Sequence, residues 1–273
     1  MKGSKYLSEL VDCSMLQKGK LNLIEAPTGC GKTYFALKHI PSLVKNPFYK
    51  VAFLIDTTNG KEQIMRKYHS APATLDWQKS VEAEMIKFAE DQRIKIAKLE
   101  IERTVRSNGA TVIALTATPR KVHQWLQCEV NQIEIDKERL VQFETKQTIG
   151  YNSLKTVISQ VSEDEVGLCY ARQIRKMIEI EAMVAAAGLS PICGWSINNT
   201  EHQMDENQLA ARKEILENSA IPPQYNLLII NSSSETSIKI ESRVDYVIVD
   251  CKDEDSQVQV RGRVNSDLAR LYV

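Results

Sequence analysis

The octet Ala26-Pro27-Thr28-Gly29-Cys30-Gly31-Lys32-Thr33 restricts what this chain can fold into more than any other stretch. It follows Leu21-Asn22-Leu23-Ile24-Glu25, which reads as a short buried strand, and precedes Tyr34 to His39, which reads as the opening of a helix. A strand that turns through two glycines straight into a helix is the phosphate-loop arrangement, here with Ala26 where the strict pattern has Gly. Gly29 and Gly31 let the backbone curl so that its N–H groups point inward at a polyphosphate. The nucleotide-binding set is therefore Thr28, Gly29, Cys30, Gly31, Lys32 and Thr33. Lys32 reaches the β- and γ-phosphates and the Thr33 hydroxyl is the Mg²⁺ ligand, so ATP and Mg²⁺ are the expected cofactors. Cys30 lies at a helix N-terminus two residues from Lys32, and both influences favour a reactive thiolate. The competing expectation is a thiol packed beneath the loop as a small, inert hydrophobe.

The remainder of the chain extends the α/β reading. Its 273 residues suit two domains of ordinary size. Short apolar runs alternate with helical stretches, the pattern of mainly parallel sheets. Strands are predicted at 21–25, 51–55 and 111–115, then at 166–170, 190–193, 226–230 and 245–249. A long charged helix is predicted within 78–106, with one core face carrying Ile86, Ala89, Ile94, Ala97 and Ile101. Helices are predicted at 172–187 and 205–218, the second stopped by Pro222-Pro223. Gln147-Thr148-Ile149-Gly150 separates two sets of elements, which places domains at 1–145 and 146–273. The predicted strands end at polar switches, Asp56-Thr57-Thr58-Asn59-Gly60 and Thr116-Ala117-Thr118-Pro119-Arg120, where ligands bind in open α/β sheets.

Thirty-five basic side chains balance thirty-five acidic ones. That balance gives no support to a broad basic nucleic-acid surface, while a local groove remains compatible with it. The six cysteines include no C-x-x-C pair and the four histidines form no cluster, which predicts reduced thiols and no structural metal. Without a signal peptide or an apolar run approaching a membrane span, the expectation is a cytoplasmic protein with no membrane partner.

Three strings occur in a telling order: the phosphate loop, Thr116-Ala117-Thr118-Pro119, and Gln259-Val260-Arg261-Gly262-Arg263. They resemble motifs I, III and VI of superfamily 2 helicases, the DEAD/DEAH-like proteins with two RecA-like domains. Leu54-Ile55-Asp56-Thr57-Thr58 sits where motif Ia belongs. Gly167-Leu168-Cys169-Tyr170-Ala171 sits where motif IV belongs, and Ile230 to Ser237 where motif V belongs. The likeness is to helicase-like proteins of phages and mobile elements in Gram-positive bacteria, and runs from about residue 20 to the C-terminus. It implies that Thr116 and Thr118 are coupling hydroxyls between the ATP site and a nucleic-acid groove. It implies that Thr57, Thr58 and Thr236 hold the phosphates of single-stranded or duplex DNA or RNA, contacts that carry no base sequence. It implies that Gln259 and Arg263 act with Lys32 and Thr33 in catalysis, Arg263 facing the γ-phosphate. Read without the resemblance, Arg261 and Arg263 are a solvated basic turn, Thr116 to Pro119 is a strand ending in a turn, and 56–60 is a polar loop.

The sequence departs from that family in two places. Between motifs Ia and III no apolar strand ends in the Asp-Glu pair that holds Mg²⁺ and orients the attacking water. The interval is also shorter than the family's, as though the first domain were internally truncated. The candidate carboxylates there are Asp56, Asp76, Glu82 and Glu84. In motif VI, Val264-Asn265-Ser266 stands where a further arginine is expected. The expected function is that of an ATP-binding helicase-like protein acting on nucleic acid, and the resemblance implies ATP-driven unwinding or translocation. The alternatives are a degenerate nucleotide- or nucleic-acid-binding module without hydrolysis and another phosphate-loop NTPase such as a small-molecule kinase.

Overall fold

The computed structural model describes residues 3–43, 90–107, 110–197, 199–232 and 238–273. They form two compact units, one drawn from 3–142 and the other from 143–273. The strand predicted at 51–55 and residues Asp56, Thr57, Thr58, Asp76, Glu82, Glu84 and Thr236 lie outside the described residues.

In the first unit, β1 (Leu21–Glu25) is flanked in parallel by β2 (Val112–Thr116) and β3 (Val130–Ile133). A parallel strand with both neighbours in place is buried on both faces, which is why Leu21, Leu23 and Ile24 are all apolar. Asn22 breaks the run and is nonetheless fully buried. Its Nδ2 donates to the carbonyls of Gln17 at 2.9 Å and Val112 at 3.0 Å. Its Oδ1 accepts from the Gln17 N–H and from Asn131 Nδ2, both at 2.8 Å. One amide thus ties the turn before β1 to both flanking strands. The helix over 32–43, here α1, follows the loop and α2 (Glu90–Arg106) precedes β2. A short α3 (Pro119–Trp125) starts with proline at its first position, where the missing N–H costs nothing. In α2, Val105 is buried while Leu99 is exposed. Glu102, also buried, accepts the Gln127 N–H at 2.6 Å.

The second unit is a six-stranded parallel sheet in the order β4-β9-β8-β5-β7-β6. Its strands are β4 (Thr145–Ile149), β5 (Gly167–Ala171), β6 (Pro191–Gly194), β7 (Leu227–Ile230), β8 (Tyr246–Asp250) and β9 (Leu268–Tyr272). Its helices among the described residues include α4 (Leu154–Ile158), α5 (Ile174–Ala186), α6 (Glu206–Asn218) and α7 (Glu254–Arg261). Every residue of β5 is buried, with one core cluster around Leu168 and Tyr170 and another around Cys169 and Ala171. The chain is therefore α/β with two parallel sheets, as the alternation of apolar runs predicts.

Several boundaries differ from expectation. Most predicted strands shift by one residue, and β3, β4 and β9 were not predicted. Residues 147–149, read as a separator, belong to β4. Helix α6 opens on a reciprocal cap between Asp205 and Gln208. It ends at Asn218, where Ser219 turns left-handed at φ 54°, so Pro222-Pro223 lie beyond a stop already made. The first prediction concerns Asn22. Asn22→Ala strands the partners of its side chain and should destabilise the first unit by about 2–3 kcal/mol. Urea unfolding followed by circular dichroism should show a lower midpoint, and an unmoved midpoint would refute the hub.

Candidate nucleotide site

The loop begins as a continuation of the sheet: the Ala26 N–H donates to the Thr116 carbonyl at 2.8 Å. The backbone then turns at Gly29 (φ 84°) and Gly31 (φ 89°), a region open to glycine and costly to other residues. Gly31 caps the helix that starts at Lys32 and has no side chain to occupy the first-turn N–H groups. N–H groups at the positive end of a helix are the kind of group that attracts an anion. Close contact adds a second demand for glycine, because a β-carbon at Gly31 would stand 3.2 Å from Tyr6 Cδ1. The helix changes to π geometry at Phe35–His39, with Phe35 fully buried and its ring stacked on His39.

Lys32 Nζ donates to the carbonyls of Ala26 at 2.9 Å and Pro27 at 2.7 Å, so its ammonium stands inside the curl of the loop. Cys30 behaves opposite to the reactive-thiolate expectation. Its side chain is fully buried among Leu7, Ile24 and Phe35, and the thiol donates to the Pro27 carbonyl at 2.9 Å. Burial pushes the thiol pKa up, and the Lys32 charge and backbone N–H bonds offset that only in part. The burial fits the alternative of a thiol packed beneath the loop.

The structure brings the loop beside the Thr116–Pro119 string. Glu25 and Thr116 are register partners on adjacent parallel strands. The Thr116 hydroxyl accepts the Thr118 N–H at 2.9 Å and stands 3.4 Å from the Thr118 hydroxyl. Glu25, immediately before the loop, pairs with Lys137 at 2.7 Å. Two contributors were missed in the sequence, Tyr6 and Lys137. The backbone brings Tyr6 in: Ser4 and Lys5 N–H groups bond the Arg139 carbonyl, and the Leu7 N–H bonds the Cys30 carbonyl at 3.0 Å. No local pattern around Tyr6 signals that placement.

In the second unit, Gln259 lies on α7 and Arg263 just beyond it. Arg263 Nε donates to the Gln259 carbonyl at 3.0 Å and Nη1 to the Ile238 carbonyl at 3.2 Å. Arg261 Nε donates to Thr145 Oγ1 at 2.7 Å, and its Nη atoms donate to three backbone carbonyls. The solvated basic turn is therefore overturned, since both guanidinium groups are bound into the unit. Burial pulls the Arg261 pKa down, partly opposed by Asp267.

The glycine geometry and uncapped first turn fit a polyphosphate. Thr33, half-buried on that first turn, carries the one hydroxyl there of the type that ligates Mg²⁺. Among the described residues no three His, Cys, Asp or Glu side chains group as a metal site. Among them, too, no helix is long and apolar enough to cross a membrane. The second prediction follows from Cys30. Iodoacetamide on the native protein should modify the exposed Cys13 well before Cys30, and Cys30 should react only on denaturation. Equal rates by peptide mapping would contradict the burial.

Residues 4–104 match the family model described as Type III restriction enzyme, res subunit. No curated protein sequence matches the chain. Similar solved structures include the Mycobacterium smegmatis helicase Lhr bound to ssDNA and AMP-PNP, at TM-score 0.46 and 14% identity over 95% of this chain. The match spans 40% of the Lhr chain. A variant of S. cerevisiae Dbp5 bound to RNA and ADP BeF3 is similar at TM-score 0.46 and 12% identity, over 96% of this chain and 73% of that one. Dbp5 itself bound to RNA and ADP BeF3 is similar at TM-score 0.44 and 11% identity, with the same coverage.

Proposed function

We propose that the chain binds ATP with Mg²⁺ on residues 26–33 and acts on nucleic acid as a helicase-like protein of superfamily 2. On this reading it has RecA-like domains at 1–145 and 146–273, a cytoplasmic location, and kin among phages and mobile elements of Gram-positive bacteria. The observation that carries the reading is the loop itself: two left-handed glycines between a central parallel strand and a helix cap, with Lys32 inside the curl. The match of residues 4–104 to the res-subunit model covers this loop and supports it.

The protein's part in the chemistry is electrostatic. The loop N–H groups and Lys32 bind the phosphates as charge-assisted hydrogen bonds. Thr33 is the residue to hold Mg²⁺, which when bound neutralises the phosphate oxygens during phosphoryl transfer. Thr116 and Thr118 link loop movement to the neighbouring strand end. By resemblance, Thr57, Thr58 and Thr236 grip nucleic-acid phosphates and Gln259 and Arg263 act at the γ-phosphate. ATP then drives a domain closure that shifts one grip relative to the other.

A second reading, nucleotide binding with little or no turnover, is favoured by one observation. The Arg263 guanidinium is bonded to Gln259 and Ile238, and Arg261 is committed to its own unit. The Asp-Glu pair missing between motifs Ia and III points the same way. Wild type should bind ATP·Mg²⁺ in a calorimetric titration, and Lys32→Ala should weaken binding by about tenfold or more. Equal affinities would overturn the phosphate-loop reading. Turnover, with or without single-stranded DNA or RNA, should fall far below the roughly 1–100 s⁻¹ of efficient phosphoryl transfer. Brisk nucleic-acid-stimulated turnover would defeat the binding-only reading. Turnover that answers only to a small acceptor would point to the kinase alternative. Nucleic-acid affinity should fall steeply as salt rises and should ignore base sequence, because phosphate contacts release counterions. Salt-insensitive, base-specific binding would contradict a phosphate-led groove.

A further inference from the structure

Four hydrogen bonds radiate from the Arg261 guanidinium. Nε donates to Thr145 Oγ1 at 2.7 Å and Nη1 to the Val264 carbonyl at 3.0 Å. Nη2 donates to the carbonyls of Glu144 at 2.9 Å and Ser266 at 3.0 Å. The acceptors belong to two segments far apart in sequence, the lead-in to β4 and the turn after α7. That turn is stitched on its other side to 238–240. The Ile240 N–H donates to the Arg263 carbonyl and the Asn265 N–H to the Ile240 carbonyl, both at 2.8 Å. The β4 lead-in closes the ring: the Glu144 N–H donates to Asp267 Oδ1 at 2.9 Å, and its carbonyl accepts the Leu268 N–H at 2.8 Å.

Arg263 sits in the middle of this knot, its own guanidinium on the Gln259 and Ile238 carbonyls. The pattern Gln-x-x-Gly-Arg leaves position 261 open, so the string itself gives Arg261 no role. A planar fork with five donors can serve four acceptors at once, whereas a lysine ammonium would serve them only in part. A guanidinium taken largely out of water needs such acceptors, and Thr145 Oγ1 with the carbonyls of Glu144, Val264 and Ser266 supplies them.

We infer that Arg261 is a positioning residue: it locks the turn carrying Arg263 between the β4 lead-in and 238–240, and so sets where the Arg263 guanidinium stands. The consequence for nucleotide rests on the reading of Arg263 as the γ-phosphate group. The phosphate loop sets overall affinity, while Arg263 sets the preference for ATP over ADP. Arg261 acts on that preference through the turn.

The test combines two measurements on the full chain with Arg261→Met, Arg261→Lys, Thr145→Val, Arg263→Ala and the Arg261→Met/Arg263→Ala double variant. Amide hydrogen exchange at Asn265, Leu268 and Ile240 reads the knot. The ratio of ADP to ATP dissociation constants reads Arg263. In Arg261→Met, exchange at those amides should speed up by about tenfold or more. The nucleotide ratio should fall as far as in Arg263→Ala, and the double variant should fall no further than either single one. Arg261→Lys and Thr145→Val should lie between wild type and Arg261→Met, and they carry the test if the Met variant does not fold. Unchanged exchange in Arg261→Met, Arg261→Lys and Thr145→Val overturns the knot. Faster exchange with an unchanged nucleotide ratio, where Arg263→Ala abolishes the preference, reduces Arg261 to a structural residue and overturns the positioning role. An unaltered ratio in Arg263→Ala overturns the reading of Arg263 and the positioning role with it. A wild type that binds neither nucleotide overturns the phosphate-loop reading instead, and exchange alone then decides the knot.

Discussion

A parallel strand paired on both sides can leave its sheet only at its ends, and β1 is such a strand. Val112–Thr116 lies along one edge and Val130–Ile133 along the other, so the chain must exit past Glu25. It cannot run on straight, because Ala26 is still held to the Thr116 carbonyl and Phe35 must return to the core. Two left-handed glycines make that reversal within eight residues. The same pairing puts the carboxyl end of β2, with Thr116 and Thr118, next to the loop. The location of the loop and the threonines is therefore a consequence of where β1 sits, and Asn22 is the buried group that holds β1 there.

The second unit solves a different problem, that of cationic side chains drawn into a fold. Taking a guanidinium out of water is costly unless its donors find acceptors. Arg261 finds them in one hydroxyl and three carbonyls, and Arg263 in the carbonyls of Gln259 and Ile238. These bonds convert a basic stretch into a crosslink among three chain segments. Arg270 shows the same economy at another corner, ion-paired to Glu165 while lying over the rings of Tyr246 and Tyr272. Gly167 leaves room for that corner, since a β-carbon there would fall 2.2 Å from Tyr246 Cζ.

What the sequence made legible follows the strength of its periodic signals. Strands β1, β2, β5, β6, β7 and β8 are apolar runs because parallel strands are covered on both faces. Helix α5 was legible for the matching reason, a periodic apolar stripe, whereas α6 buries Ala211, Ile215 and Leu216 along a helix of mixed polarity. Strand β4, Thr-Lys-Gln-Thr-Ile, was not, because it is an edge strand whose middle three residues face solvent. Strands β3 and β9 carry Asn131, Gln132 and Arg270 among their apolar residues, which blurs the run. At the site, glycines, lysine and threonine were legible because a loop of local spacing dictates them. Tyr6, Lys137 and the partners of Arg261 arrive from distant segments, and no spacing records a tertiary contact. Cys30 failed for a related reason: its local electrostatics favour the thiolate, but Leu7 and Phe35 bury it, and desolvation outweighs a single nearby ammonium.

A carboxylate at Glu25, one residue before Ala26, would by itself oppose phosphate binding. Lys137 sits on it at 2.7 Å, with the two side chains 35% and 47% exposed. A pair that wet contributes at most about 1 kcal/mol to folding, so stability is a poor reason for it. Its effect on the local field is larger, because it offsets the Glu25 charge at the base of the loop. Lys32 meanwhile donates to the carbonyls of Ala26 and Pro27, inside the curl of the loop. The Glu25–Lys137 pair thus makes the base of the loop less repulsive to the polyanion proposed to bind there.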